Sequence, residues 1–220
     1  MLEGQKIDSR RKILQAAIAE FGEKGYEAAS TNHICRQAEI SKGLLFHYYK
    51  SKRTLFAEAL EQCLRDVESA TEGPCAQDGA APGCMQEFFW LRMDFFAAHV
   101  HHFMILEEIF SNGTEASLPE VQPLRRRVDA IRSGRYRSFL DKHRLRPGIS
   151  RETALDLLLG ASESIQRKCL RRIHLLGEPA EQVLEDFREE YRMALSMLFY
   201  GMLAPAGCAG REELNAEGRN

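Results

Sequence analysis

Apolar residues recur three and four positions apart along most of the chain. No stretch alternates β-branched with polar residues between turn residues, so the pattern predicts an all-α fold of about nine helices. Ile13, Ala17, Ile18 and Phe21 form the inner face of a first helix that Asp8 or Ser9 can cap, and Gly25 stands where a helix end takes a left-handed residue. Ser30 or Thr31 can cap a short second helix that turns Ile34 and Ala38 inward. Ser41 caps a third, Lys42 to about Tyr49, and Ser51 a fourth, Lys52 to about Ser69. Three short helices bury too little to stand alone, so the fourth must complete their core. Residues 71–84, rich in Gly, Ala and Pro, read as a loop. A markedly aromatic helix follows from Met85 to about His102, then a shorter one ending near Asn112-Gly113. Pro119 suits the first turn of a long helix to Lys142 or His143. Ser150 caps the next, to about Leu176, and Pro179 opens a last one that reaches Leu203 before Pro205 stops it.

Composition adds limits. The 220 residues are 44% hydrophobic and 28% charged, an ordinary globular mix. No apolar run is long enough to span a bilayer, and the first residues lack the apolar core of a secretory signal, which places the chain in the cytoplasm. The net charge of −2 hides an uneven distribution: residues 1–60 carry ten basic and seven acidic side chains, the remainder 20 and 25. A basic end on an acidic body fits a chain that offers one end to a polyanion. Cysteines 35, 63, 75, 84, 169 and 208 form no C-x-x-C pair and are expected as free thiols; a redox pair of Cys75 and Cys84, within one loop, is the alternative.

The informative stretch is TNHICRQAEISKGLLFHYYKSK, Thr31 to Lys52. Two short helices joined by a tight turn at Glu39-Ile40-Ser41 make a helix-turn-helix, whose second helix can enter a major groove. Ile34, Ala38, Ile40 and Leu45 supply the contacts that set the angle between the helices. Lys42, Lys50 and Lys52 flank the second helix with charge, and Phe46, His47 and Tyr48 offer aromatic and hydrogen-bonding contact. Residues 10–57, with A-x-x-x-F-x-x-x-G-Y, S-T-x-x-x-I and S-K-G-L-L-F-H-Y-Y-K-S-K in order, resemble the N-terminal DNA-binding domain of the TetR family of bacterial transcriptional repressors.

The resemblance implies roles residue by residue. Thr31 matches a phosphate-bonding position, and Lys42 and Gly43 open a recognition helix that touches bases and backbone. Phe46, His47 and Tyr48 match aromatic contact positions, and Lys52 matches a phosphate-contacting lysine. Leu44 stands where Thr is common and Phe46 where Tyr is usual, each removing a hydroxyl. Glu39 holds a turn position often filled by Gly, which implies strain or a different turn. The chain then divides into a DNA-binding domain over 1–52 (motif about 31–50), a helical regulatory and dimerisation domain over 53–203, and a disordered tail over 204–220.

In the body, Leu155, Leu158, Leu159, Ser162, Ile165, Cys169 and Ile173 form one helical stripe, and Val183, Phe187, Ala194, Leu195, Leu198 and Met202 another. Two such helices from each of two subunits would make a four-helix dimer interface, about residues 151–203; the bland reading is that both stripes face their own core. Trp90, Met93, Phe96, Phe103 and Phe110 belong to an aromatic cluster that reads either as core or as a ligand cavity, which the family resemblance favours. Asp94 and Glu163, if they face that cavity, would suit a cationic aromatic ligand; ordinary pairing with arginine is the alternative. Nine basic against two acidic residues between Arg125 and Arg146 would suit an anionic ligand such as an acyl-coenzyme A, or pair with the acidic last helix. His99 and His102 share a face without a third ligand, so no metal and no cofactor is expected.

Enzyme signatures (E-x-x-H, H-E-x-x-H, G-x-G-x-x-G, the P-loop) are absent. The expected reading is a homodimeric repressor released from a near-palindromic double-stranded DNA operator by an unknown small-molecule effector, through tilting of the fourth helix, with no membrane contact. The alternative is a DNA-binding protein without an effector, governed by a partner or by redox state.

Overall fold

A computed structural model describes residues 2–72, 82–110 and 118–204 of the chain. Among these residues it has nine α-helices: α1 (Leu2–Ala28), α2 (Thr31–Gln37), α3 (Lys42–Tyr48), α4 (Lys52–Ala70), α5 (Pro82–Ala98), α6 (Val100–Phe110), α7 (Gln122–Lys142), α8 (Arg151–His174) and α9 (Ala180–Met202). The only extended pairing among them is one isolated antiparallel bridge, Leu145 with Leu203. The tail expected from 204 lies, beyond Ala204, outside the described residues, as does most of the loop over 71–84.

The serines act as the spacing predicts. Side chains of Ser30, Ser41, Ser51 and Ser150 each accept a hydrogen bond from the backbone N–H three residues on, at His33, Leu44, Thr54 and Thr153. Five boundaries differ from expectation, one of them the start of the aromatic helix at Pro82 rather than Met85. The first helix runs from Leu2 rather than from a cap at Asp8 or Ser9, and Asp8 instead pairs with Lys12 and Arg11. Gly25 does take a positive φ of 71°, but as a kink after which the helix resumes to Ala28. The aromatic helix ends at Ala98 and a new one starts at Val100, with His99 non-helical between them. The long helix begins at Gln122, with Pro123 in its first turn, rather than at Pro119.

The first core forms where Ile13, Ala17 and Phe21 of α1 meet Ile34, Ala38, Leu45 and the first half of α4 (Leu55, Phe56, Ala59, Leu60), all buried. The second lies among α5, α7, α8 and α9, where Phe89 stacks on Tyr191 at 3.7 Å between centroids. Beside it the Tyr136 hydroxyl bonds Ser162 Oγ (2.6 Å) and Tyr191 Oη (3.0 Å), so three buried hydroxyls satisfy one another and fix α7, α8 and α9 in register.

The apolar stripes of α8 and α9 face this core. Leu155, Leu158, Ser162, Ile165, Cys169, Val183, Phe187, Leu195 and Met202 are buried within the one chain, while Leu159, Ile173, Ala194 and Leu198 of the same stripes are half-buried.

Two joints connect the cores. Arg127 of α7 pairs with both Glu61 (2.7 Å) and Glu68 of α4, so part of the basic cluster of α7 is neutralised by α4. At the second, α1 lies against α6 with its backbone so close that a Cβ built on Gly22 would stand 2.8 Å from the His101 carbonyl oxygen and 2.9 Å from its Cα. Only glycine fits such an approach. Gly22→Ala is therefore expected to force α1 from α6 and to cost about 1–3 kcal/mol, typical of overpacking. Chemical denaturation of the two proteins measures it, and an unchanged midpoint would contradict the close approach.

Candidate nucleic-acid interface and effector cavity

The recognition pair is seated from below. Ile34, Cys35, Ala38, Leu45 and Tyr49 are buried; α3 turns Leu45 into the core, and Tyr49, the extended residue that caps its end, follows it there. The opposite positions Lys42, Gly43, Phe46 and His47 (i, i+1, i+4, i+5) then form one exposed face, with Phe46 38% accessible. Leu44 and Thr31 are half-buried at its margins. Tyr48 is also half-buried and packs on the core, so two aromatic side chains rather than three stand outward. Glu39, at the turn, has φ 56°, a left-handed conformation that a non-glycine residue adopts at a cost.

Lys52 is placed differently from a free phosphate-reaching side chain. It is half-buried, its ammonium donates to the Glu27 carbonyl (3.0 Å), and it lies 4.8 Å from the Tyr26 ring centroid. Its charge thereby closes the end of α1 onto α4.

A residue that sequence reasoning missed holds the pair in place. Glu20 is 1% exposed in α1. Its carboxylate accepts from the Ser30 backbone N–H (2.9 Å), the Lys24 ammonium (3.0 Å) and His33 Nδ1 (2.5 Å), fixing the start of α2 to α1. Burial pushes its carboxyl up, but the bonds from Ser30, Lys24 and His33 outweigh burial and hold it below the ordinary glutamate value. The signal available was a Glu one position before Phe21, where a helix otherwise turns inward.

A second feature is a cavity of about 140 Å³ in the body, lined by α4, α5, α6, α7 and α8. Of the residues expected to bind a ligand, Phe96, Phe103 and Glu163 line it. Met93 is buried elsewhere in the core, and Trp90 lies against Phe89, Tyr191 and Arg188. Asp94 is exposed and faces the groove toward Arg188 of α9, which removes the paired-carboxylate argument for a cationic ligand. The Phe110 side chain lies outside the described residues. Arg92, Gln166, Glu107 and Arg167 line the cavity without having been expected there.

His102 Nε2 bonds Asp66 (3.1 Å), His99 Nδ1 bonds the Phe95 carbonyl (2.9 Å), and His101 packs on Gly22. Among the described residues no three metal-capable side chains gather. Cys35, Cys63 and Cys169 are buried free thiols, the last pushed up to about 12 by burial, and so are not poised as thiolates. Cys84 is disulfide-bonded, a correction to the expectation of six free thiols, which rested on composition; Cys75 and Cys208 lie outside the described residues. No described helix is long and apolar enough to cross a membrane.

A carboxylate with a lowered folded-state pKa binds its proton more readily in the unfolded chain. The stability that Glu20 provides is therefore complete above the ordinary value of 4.5 and is lost as pH falls through the lower folded value. Glu20→Gln is expected to cost about 1.5–3 kcal/mol at neutral pH and to flatten the acid dependence of urea unfolding. Parallel acid profiles for the two proteins would contradict this role.

Comparison with known proteins agrees with this geometry. Residues 13–59 match the family described as bacterial regulatory proteins, tetR family. The chain is 28% identical over 139 residues to the HTH-type transcriptional repressor SCO4008 of Streptomyces coelicolor, covering 60% of this chain and 67% of that one. It is 30% identical over 90 residues to the A-factor receptor protein of Streptomyces griseus, covering 41% and 32%. In fold it is similar to a TetR family transcriptional regulator from Chloroflexus aurantiacus, with a TM-score of 0.69 at 14% identity over 90% of this chain and 94% of that one.

Proposed function

We propose that this chain, which belongs to the tetR family of bacterial regulatory proteins, is a cytoplasmic transcriptional repressor that binds a near-palindromic operator as a homodimer and is released by a small molecule held in the helical body. The observation that carries the reading is the face of α3: Lys42, Gly43, Phe46 and His47 stand outward on a helix whose other side is anchored by Leu45 and Tyr49. A major groove about 12 Å wide admits such a helix. Gly43 lets the backbone approach the duplex, Lys42 meets phosphate, and His47 can exchange hydrogen bonds with base edges.

The effector part draws support from the cavity, which adjoins Leu64 and Val67 of α4. A ligand there presses on the helix that completes the core of the DNA-binding module. The homodimer draws support from a second apolar face of α8 and α9, distinct from the buried stripes: Leu157, Met193, Met197 and Tyr200 are 48%, 49%, 66% and 81% exposed. A dimer that reads two half-sites needs its two α3 helices about 34–36 Å apart, one duplex turn.

Selection of bound duplexes from a randomised pool tests the DNA reading; no enrichment at modest ionic strength would overturn it. On the selected operator, Lys42→Ala is expected to weaken binding to specific and random duplexes alike and to lower the salt slope by about 0.9. His47→Ala is expected to change the preferred sequence as well. Equal losses on both kinds of DNA for both variants would refute the assigned roles. Met197→Glu is expected to convert the dimer to a monomer in sedimentation velocity and to cost most of the operator affinity, whereas an unchanged sedimentation coefficient would place the interface elsewhere.

A further inference from the structure

The proposed effector cavity is lined by two buried side chains that each carry a polar atom without a hydrogen-bond partner. Arg92 of α5 is 6% exposed and Gln166 of α8 is 7% exposed. Both line the cavity, and neither the Arg92 Nε nor the Gln166 Oε1 has a hydrogen-bond partner. The Arg92 guanidinium instead lies near two aromatic rings, 5.6 Å from the Phe88 centroid and 5.8 Å from that of Phe89. Ring faces return only part of the hydration that a buried guanidinium gives up. Had the position needed volume alone, a methionine would serve it without that cost. The positive charge makes physical sense if a second molecule brings the negative one.

The remaining charges of the cavity do not cancel this demand. Glu107 and Glu163 line the cavity with Arg92 and the exposed Arg167, but the contacts of the Arg92 guanidinium are the rings of Phe88 and Phe89, not either carboxylate. The walls are otherwise apolar, among them Phe96, Phe103, Leu106, Val128 and Ile131. The volume, about 140 Å³, is close to the roughly 150 Å³ known to hold one benzene ring. That excludes an acyl-coenzyme A, and a cationic aromatic would set like charge against Arg92.

Resting on the reading of this cavity as the effector site, we infer that the effector is a small, single-ring aromatic carboxylate. Its carboxylate accepts from the Arg92 guanidinium, its ring lies among Phe96, Phe103 and Ile131, and a hydroxyl on the ring donates to Gln166. A carboxylate on a guanidinium is a charge-assisted contact strengthened by the surrounding low dielectric.

Titration calorimetry and thermal unfolding of the full chain test this with four probes: benzoate, para-hydroxybenzoate, benzamide and benzylamine. The two acids are expected to bind, and at a hundredfold excess over Kd to raise the melting midpoint by roughly 5–10 °C; the amide and the amine are not. Arg92→Met should weaken the acids roughly 10–100-fold, while Gln166→Leu should remove only the advantage of para-hydroxybenzoate over benzoate. Each substitution deletes an unsatisfied buried polar group, so both variants are expected to melt at or above the parent, which keeps the comparison interpretable. If the amide or the amine binds as tightly as the acids, or if Arg92→Met leaves acid affinity unchanged, the carboxylate assignment is overturned and the cavity remains a ligand site. If no probe binds, the assignment falls as well. The effector reading is then decided separately, by whether a small-molecule fraction of bacterial extract releases operator DNA from the parent and not from the cavity-filled Val128→Phe; release from neither overturns that reading too.

Discussion

Within one turn of α1 the chain must hold two different partners. Glu20 reaches to one side and ties down the first N–H of the recognition pair, while Gly22, two residues on and about 200° around the helix, lets the backbone of α6 come into contact. Neither contact tolerates adjustment. A buried carboxylate needs all its donors, and an approach of 2.8 Å leaves no room for a methyl group. The position of α3 relative to the body is therefore carried by backbone and buried charge, which shift as units, rather than by flexible surface side chains.

Much of this was legible in the chain. Capping serines, the apolar spacing of the first three helices and the seat formed by Ile34, Ala38 and Leu45 all follow from local rules, because each depends on neighbours three or four residues away. Glu39 was recognisable as an unusual turn residue for the same reason. The outward face of α3 was readable in part: Lys42 and His47 stand where the pattern puts them, but Tyr48 turns inward, since a seven-residue helix has too few positions for the spacing to separate margin from face.

What could not be read depends on partners distant in sequence. The break at His99 has no proline or glycine to announce it, and the approach of α6 to Gly22 that it accompanies joins residues far apart in sequence. The stripes of α8 and α9 have the period of an interface, yet period alone does not say which surface is on the other side. Aromatic density pointed correctly to α5 and α6 as walls of a cavity but not to the polar groups within it. Arg92 lies between Trp90 and Met93 in sequence, and only the packing of α5 on α8 sets it facing Gln166 within a common space.

The paired carboxylates that receive Arg127 lie seven residues apart, Glu61 midway along α4 and Glu68 near its far end. Both bonds come from one guanidinium, so the joint opposes sliding of α4 along its axis more than rotation about Arg127. From Glu68 to Lys52 is a lever arm of about 24 Å, so a rotation of about 5° at the fulcrum carries the other end through about 2 Å. Under the proposed release by a ligand, a displacement of a single bond length inside the body would arrive amplified at the outward face of α3.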